Sequence, residues 1–204
     1  MQFADAQAKF GTRNAIAAAE AFIRASQSAA AIKLLQTAVK AKADDLDLEF
    51  ELASAYERAG DRKSAEKTFQ SILDKKPEHA PALNYLGYMW AEDNVNLEKA
   101  HEMLERAVSQ EPENGAYVDS LGWIYFRLGK LELAEKTLTD ATKLMPRDAT
   151  VHEHLADVIA KRGDKPRALQ MYKVALSLDP DAKEGEQIKT KIADLERESQ
   201  TSQR

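Results

Sequence analysis

Apolar residues recur three or four positions apart along most of the chain, with polar residues between them, which is the pattern of amphipathic helices. In the stretch 115–148, Leu121 and Tyr125 lie on the apolar stripe of one such helix. Gly129 follows that stripe, and glycine adopts the left-handed conformation that ends a helix more easily than other residues. A second apolar stripe runs to Pro146, which predicts the end of a second helix. This stretch therefore predicts two helices joined by a tight turn.

The same arrangement recurs with a period of about 34 residues, which is typical of a repeat protein. Each repeat predicts one helix pair, and stacking neighbouring pairs buries a continuous core. After the last repeat, Ile188, Ile192 and Leu195 form one apolar stripe, which we expect to cover that repeat as a capping helix. The predicted organisation is a solenoid over 1–182 with a degenerate repeat 12–45 and repeats 46–79, 80–114, 115–148 and 149–182, a capping helix 183–198 and a frayed tail 199–204.

Small residues hold fixed positions inside the predicted helices. Gly122 lies within a first helix, where glycine costs about 1 kcal/mol relative to alanine. Such a cost indicates close approach by another helix. We expect the second helix of the same pair to approach Gly122, with Leu138 filling the gap between Ala134 and Ala141.

Two repeats depart from the common pattern. In the degenerate repeat, Ser26 replaces the turn glycine and Ala43 replaces the closing proline, and terminal repeats are commonly atypical. In repeat 80–114, one residue is inserted in the turn 93–96, which predicts a longer loop there.

The repeated pattern closely resembles that of tetratricopeptide repeat (TPR) proteins over roughly residues 12–182. The resemblance implies an all-α, right-handed solenoid of antiparallel helix pairs with a C-terminal capping helix. The runs ALNYLGYMWAED and ENGAYVDSLGWIYFRLGK also resemble the C-terminal repeats of long bacterial TPR scaffold and adaptor proteins, many of them envelope lipoproteins. That likeness implies an interaction role and a bacterial envelope compartment.

Composition narrows the functional classes. The net charge of −5 is spread through the chain, so the sequence favours neither nucleic acid nor an anionic membrane surface as a partner. The absence of cysteine excludes disulfides and thiol chemistry. No apolar run approaches the roughly 18–20 residues of a membrane span, which predicts no direct membrane insertion. Because Met1 opens within a helical pattern, we expect the chain to be a fragment of a longer protein.

The TPR resemblance also implies where a ligand would bind, because the first helices of TPR pairs line a concave groove. In this sequence the groove positions predict apolar contact from Phe50, Tyr88, Trp123 and Phe126, and orientation of the ligand by Asn84, Asp119, Arg127, Glu153 and Asp157. Trp90 is predicted to be core, whereas Trp123 is predicted to face the groove beside Phe126 and Tyr88.

The binding interpretation has an alternative, in which Trp123 and Phe126 pack only against neighbouring helices. If the groove does bind a ligand, Asn84 and Asp119 are suited to hydrogen-bond an extended peptide backbone. The acidic side chains Asp119, Glu153 and Asp157 favour a ligand with some positive charge.

The sequence predicts no catalytic, cofactor or metal site. His152 and His154 lie two apart on a predicted helix and point in nearly opposite directions, so they are not expected to share a metal. His152 is expected to be a partly buried packing residue. There is no phosphate-binding glycine loop and no nucleophile elbow.

These observations predict a non-catalytic module or scaffold that binds a protein or peptide in its concave groove. Two alternatives remain at this stage. The chain could self-associate as a homo-oligomer, through a degenerate repeat that exposes Ala15, Ile16 and Ala19. It could instead be an accessory domain of a longer enzyme or envelope lipoprotein, with a periplasmic location if it is such a fragment and a cytoplasmic one otherwise.

Overall fold

The computed structural model describes the backbone of residues 2–201 and the side chains of residues 11–198. Over this part of the chain every regular element is an α-helix, which confirms the all-α class. The helices are α1 (Gln2–Arg24), α2 (Ser28–Ala41), α3 (Leu46–Arg58), α4 (Arg62–Lys75), α5 (Ala80–Asp93), α6 (Leu97–Gln110), α7 (Gly115–Arg127), α8 (Leu131–Leu144), α9 (Ala149–Lys161), α10 (Lys165–Ser177) and α11 (Ala182–Thr201). None of the described helices is long and apolar enough to cross a membrane.

The chain divides into two compact units, 1–86 and 87–204, with the division inside α5. Unit 1 contains α1 to α4 and the start of α5, and unit 2 contains the rest. The predicted repeat boundaries remain a prediction. Of the predicted tail, residues 199–201 belong to α11, and 202–204 lie outside the described residues.

Left-handed residues end the first helix of each pair. Gly60, Gly129 and Gly163 have φ angles of 78°, 73° and 89°, where a side chain would be strained. Ser26 adopts the same left-handed conformation, with a φ angle of 58°, although it is not glycine. The chain therefore turns at Ser26, where the repeat pattern predicts a turn. Aspartates begin several of the helices by accepting a hydrogen bond from a backbone N–H of the first turn: Asp45, Asp61, Asp148 and Asp164.

The inserted residue near 93–96 lengthens a helix rather than a loop, so the expectation of a longer loop was wrong. Helix α5 has 14 residues, whereas α3, α7 and α9 have 13 each. Three residues, 94–96, then connect α5 to α6. Asn94 and Asn96 both adopt left-handed φ angles, of 56° and 48°. Asparagine tolerates this conformation better than most residues, so the turn closes at its usual length.

Unit 1 has an apolar core formed by the facing stripes of α1, α2 and α3. Leu35 and Leu48 are at most 1% exposed in this core. Ala19 is also buried, and Ala15 and Ile16 pack against the same cluster. The suggestion of an exposed self-association face was therefore wrong for Ala19, which is buried, whereas Ala15 and Ile16 are half-buried.

Unit 2 is held together by small residues at helix contacts and by apolar side chains between them. A Cβ atom on Gly122 would lie 2.6 Å from Leu138 Cγ, so the predicted close approach of α8 to α7 is confirmed. Ile188 of α11 is fully buried against the last helix pair, with Ile192 and Leu195 packed on the same cluster. The expected apolar stripe of α11 therefore covers α9 and α10.

Candidate ligand-binding site

A cavity of about 510 Å³ in unit 2 contains four of the predicted site residues. Its walls come from the last part of α5 and from α7, α9 and α11. The side chains that line it are Tyr88, Glu92, Trp123, Thr150, Glu153, His154, Asp157, Glu184, Gln187, Thr190 and Lys191.

Trp123 and His154 form an aromatic stack on one wall of the cavity. Their ring centroids lie 4.2 Å apart with an interplanar angle of 20°. The indole Nε1 of Trp123 donates a hydrogen bond of 2.6 Å to Glu92 Oε1. Trp123 also contacts Phe126, at a centroid distance of 5.0 Å. Trp123 lines the cavity beside Tyr88, as its sequence position predicts, but with its ring and its N–H already held by neighbouring residues.

The exposure of the two tryptophans differs from the sequence prediction. Trp123 is only 8% exposed, although it was predicted to lie on a solvated face. Trp90, predicted to be core, is partly buried against the same cluster as Trp123. The stack on His154 explains the burial of Trp123, because an imidazole covers one face of its ring.

His154 is held from behind by a buried carboxylate. Its Nδ1 lies 3.0 Å from both Oδ1 and Oδ2 of Asp119, and both side chains are buried. Burial opposes a charge on the imidazole, but Asp119 outweighs this effect, with help from Asp157 and Glu92, and raises the pKa of His154. The pair therefore favours an imidazolium that stacks against Trp123.

Lys191 of α11 supplies a cation to the acidic side of the cavity. Its Nζ lies 2.7 Å from Glu153 Oε1 and 2.7 Å from Asp157 Oδ2. The ammonium also lies 5.7 Å from the centre of the Tyr172 ring, and the Tyr172 hydroxyl donates to Asp157. Burial disfavours the charged ammonium, but Asp157 and Glu153 outweigh burial and raise the pKa of Lys191.

The predicted acidic residues thus have partners within the chain. Asp119 pairs with His154, whereas Glu153 and Asp157 pair with Lys191. The cavity nevertheless keeps an excess of negative charge, because four carboxylates line it against one ammonium and one imidazole.

The structure divides the nine predicted site residues among several environments. Tyr88, Trp123, Glu153 and Asp157 line the cavity of unit 2, and Asp119 and Phe126 contact its walls from behind. Arg127 is half-buried, and its Nε has no hydrogen-bond partner among the described residues. Phe50 and Asn84 belong to unit 1, where Phe50 lines a second cavity and Asn84 is 8% exposed.

The ligand-binding residues predicted from sequence did not include His154, Glu92 or Lys191. A signal for them exists in the repeat period. Lys191 lies 34 residues after Asp157, His154 lies 35 after Asp119, and Trp123 lies 31 after Glu92. Polar residues separated by about one repeat period therefore indicate contacts between the first helices of successive pairs. Helix α11 continues this series after α5, α7 and α9.

In the part of the chain that the structure describes, no three potential metal ligands are grouped together. His152 is half-buried with its Nε2 3.3 Å from the Pro146 carbonyl oxygen, which is the packing role expected for it. What the cavity offers a ligand is a partly aromatic wall, negative charge and hydrogen-bonding side chains.

Comparison with solved structures shows the fold. A thermophilic TPR protein of Thermus thermophilus matches with a TM-score of 0.74 at 20% identity, covering 90% of this chain and 98% of that one. Pseudomonas aeruginosa PilF matches with a TM-score of 0.73 at 18% identity, covering 96% of this chain and 88% of that one. MamA from Desulfovibrio magneticus RS-1 matches with a TM-score of 0.66 at 20% identity, covering 82% and 94%. The predicted TPR solenoid fold is therefore confirmed.

Curated relatives share part of their length with this chain. A TPR repeat-containing protein of Pseudomonas aeruginosa is 33% identical over 139 residues, which is 68% of this chain and 23% of that protein. Human tetratricopeptide repeat protein 7A is 33% identical over 98 residues, which is 47% of this chain and 11% of that protein. The chain thus spans about a quarter or less of the length of these relatives.

Family models for the tetratricopeptide repeat match residues 22–87, 91–143 and 120–183. These matches cover most of the chain. The repeated helix pairs, the close contact at Gly122 and the similar solved structures agree with them. The chain belongs to the tetratricopeptide repeat family.

Proposed function

We propose that this chain is a non-catalytic interaction module whose unit 2 cavity binds a protein segment bearing lysine or arginine. Tetratricopeptide repeats act in protein–protein interaction and as scaffolds, so a role of that class follows from family membership. The finer proposal rests on one observation, the acidic and aromatic cavity between α5, α7, α9 and α11. A bacterial envelope location remains a prediction for this chain, to be tested by cell fractionation.

The chemistry of the cavity supports a cationic ligand group. Four carboxylates attract an ammonium or guanidinium, and the Tyr88 ring offers an aromatic face of the kind that attracts cations. Lys191 illustrates the preferred chemistry, because its ammonium already sits between Glu153 and Asp157. A partner's lysine or arginine would bind beside it, against Glu92 and Glu184.

A capture experiment with substitutions of Glu153 and Asp157 tests the proposal. The full chain is used as bait in extract of its source organism, and Glu153→Gln/Asp157→Asn is compared with wild type. The amides keep the size of the side chains and still accept a hydrogen bond from Lys191, so folding should persist, and circular dichroism checks this. We expect the captured partner to be lost with this variant because the cavity loses two negative charges.

A matched control removes the same charge elsewhere. Glu98→Gln/Glu102→Gln changes two exposed carboxylates on α6 that do not line the cavity, and we expect it to retain the partner. Replacing the lysine or arginine of the captured segment by glutamine should weaken binding about tenfold, which is the effect of losing about 1.4 kcal/mol. Equal capture by wild type and Glu153→Gln/Asp157→Asn would refute the cavity as the binding site.

A further inference from the structure

Unit 1 contains a cavity of its own, about 340 Å³ in volume, between α1, α3 and the start of α5. Ile23, Phe50 and Tyr85 form its apolar wall. Phe50 and Tyr85 meet edge to face, with ring centroids 5.3 Å apart and an interplanar angle of 89°. This contact fixes both rings, so the apolar wall is preformed rather than assembled by a ligand.

Ser54 lines this cavity with a hydroxyl that has no hydrogen-bond partner among the described residues. The residue is 7% exposed, and its Oγ makes no hydrogen bond to any residue that the structure describes. Buried polar groups are nearly always hydrogen-bonded, because leaving one unpaired is unfavourable. Ser120 on α7 shows the usual solution, since it is 4% exposed and donates to the Ala116 carbonyl oxygen at 2.9 Å. The free hydroxyl of Ser54 therefore points to a ligand group.

The carboxyl group of Glu51 is the second polar group at the cavity. Glu51 lies three residues before Ser54 on α3, and side chains at this spacing are neighbours on a helix surface. Among the described residues, the Glu51 carboxyl group forms no hydrogen bond or close ion pair, although the charge of Arg58 acts to lower its pKa. Burial, and then the nearby charge of Glu20, raise the pKa of Glu51. A hydrogen-bond donor from a ligand would satisfy this carboxylate.

The charges around the cavity balance. Glu20 and Glu51 supply two negative charges, and Arg24 and Arg58 supply two positive ones. A cationic ligand would meet the two arginines, and an anionic one would meet the two glutamates. The environment therefore favours a neutral group that both donates and accepts hydrogen bonds and that lies beside apolar surface.

We propose that unit 1 carries a second binding site, which takes the carboxamide side chain of an asparagine or glutamine in a partner protein. The carboxamide oxygen accepts from Ser54 Oγ, and the carboxamide NH₂ group donates to Glu51. An apolar residue next to the amide packs on Phe50 and Tyr85. This site differs in charge from the cavity of unit 2, and it stands or falls independently of that cavity.

Peptide probes that differ in one side chain test this assignment on the full chain. The probes are capped nine-residue peptides of alanine with a central Leu-Gln-Leu, Leu-Ala-Leu or Leu-Lys-Leu, followed by ¹⁵N–¹H chemical-shift titration. We expect the glutamine probe to bind about tenfold more tightly than the alanine probe, as two additional hydrogen bonds would allow. The shifted amides should cluster around Phe50, Ser54 and Tyr85. The alanine probe keeps the same main chain, so it separates side-chain recognition from backbone binding.

Ser54→Ala removes only the unpaired hydroxyl. We expect it to weaken binding of the glutamine probe about fivefold to tenfold and to leave binding of the alanine probe unchanged. Tm should not fall, because no intramolecular hydrogen bond to a described residue is lost. Ser120→Ala is the matched control, which should lower Tm and leave probe binding unchanged. Equal binding of the glutamine and alanine probes, stronger binding of the lysine probe, or unchanged glutamine affinity in Ser54→Ala would each overturn the proposal.

Discussion

At the scale of single residues, the contact between Gly122 and Leu138 shows how little space separates the helices of a pair. A Cβ at position 122 would meet Leu138 Cγ at 2.6 Å and the Leu138 backbone nitrogen at 3.2 Å. The backbone atom is fixed by α8, and Leu138 is fully buried, so the crowding has little room to relax.

We expect Gly122→Ala to destabilise the protein by about 1–2 kcal/mol, because overpacking exceeds the gain in helix propensity. Urea unfolding measures the change in the free energy of unfolding. Gly11→Ala is the control, since Gly11 lies in α1 and its added Cβ would meet only Lys42 Nζ at 3.7 Å. That substitution should be stabilising. If Gly122→Ala were as stable as wild type, the close approach of α8 to α7 would be wrong.

The buried pair of His154 and Asp119 makes stability depend on pH. Despite the opposing effect of burial, Asp119 raises the pKa of His154 in the folded state, whereas histidine in the unfolded chain has a pKa of about 6.5. Between these two values the folded state holds a proton that the unfolded state has lost. The contribution of His154 to the free energy of unfolding should therefore be largest below about pH 6.5. It should fall as pH rises through the folded-state pKa.

Urea unfolding of wild type and His154→Gln between pH 6 and pH 9 measures this dependence. Glutamine retains a donor for Asp119 but does not titrate, so the variant should lose the decrease assigned to His154. An identical pH slope in both proteins would show that His154 does not hold a stabilising proton.

At the scale of elements, α11 is attached to unit 2 by an apolar stripe and by Lys191. Ile188 is buried, and Lys191 contacts Glu153 and Asp157 of α9. Thr150 and Glu184 add a hydrogen bond of 2.6 Å between the same two helices. Since Glu184 follows Thr150 by 34 residues, α11 occupies the place of a next first helix without having a second helix of its own among the described residues.

We expect Lys191→Met to weaken the attachment of α11 by about 1–2 kcal/mol, between the values for surface and fully buried ion pairs. Two partly buried carboxylates lose their cation, while the apolar packing of α11 remains. In Lys191→Met, amide hydrogen exchange should therefore be accelerated relative to wild type, and more strongly in α11 than in α9. Lys189→Met on the same helix removes an exposed pair with Glu186 and should leave exchange nearly unchanged. Equal protection in both variants would mean that Lys191 does not hold α11.

At the scale of the whole molecule, the two units are built from the same kind of helix pair but contain different cavities. The cavity of unit 2 is acidic, and hydrogen bonds on its walls pair His154 with Asp119 and Trp123 with Glu92. The cavity of unit 1 is balanced in charge and contains the Ser54 hydroxyl, which has no hydrogen-bond partner in the part of the chain that the structure describes. A repeat fold permits this difference because surface positions on the inner helices vary without disturbing the core that joins each pair.

The sequence by itself determined the all-α class, the family, the turn glycines and the small residues at helix contacts. These features depend on contacts within one helix pair, whose spacing along the chain is regular. Gly122 and Gly129 were interpretable for this reason, and so was the apolar stripe of Ile188, Ile192 and Leu195.

Only the tertiary structure decided which polar groups meet. His154 was interpretable from sequence only as a poor metal ligand, whereas in the fold it stacks on Trp123 and pairs with Asp119. Lys191 was given no role from sequence, but it lies between two acidic residues that the sequence assigned to a ligand. Such contacts join different helices, and their partners follow from side-chain direction and burial. Periodicity predicts which helix face a residue occupies, but the neighbouring helix determines whether its charge and its ring remain free to bind a partner.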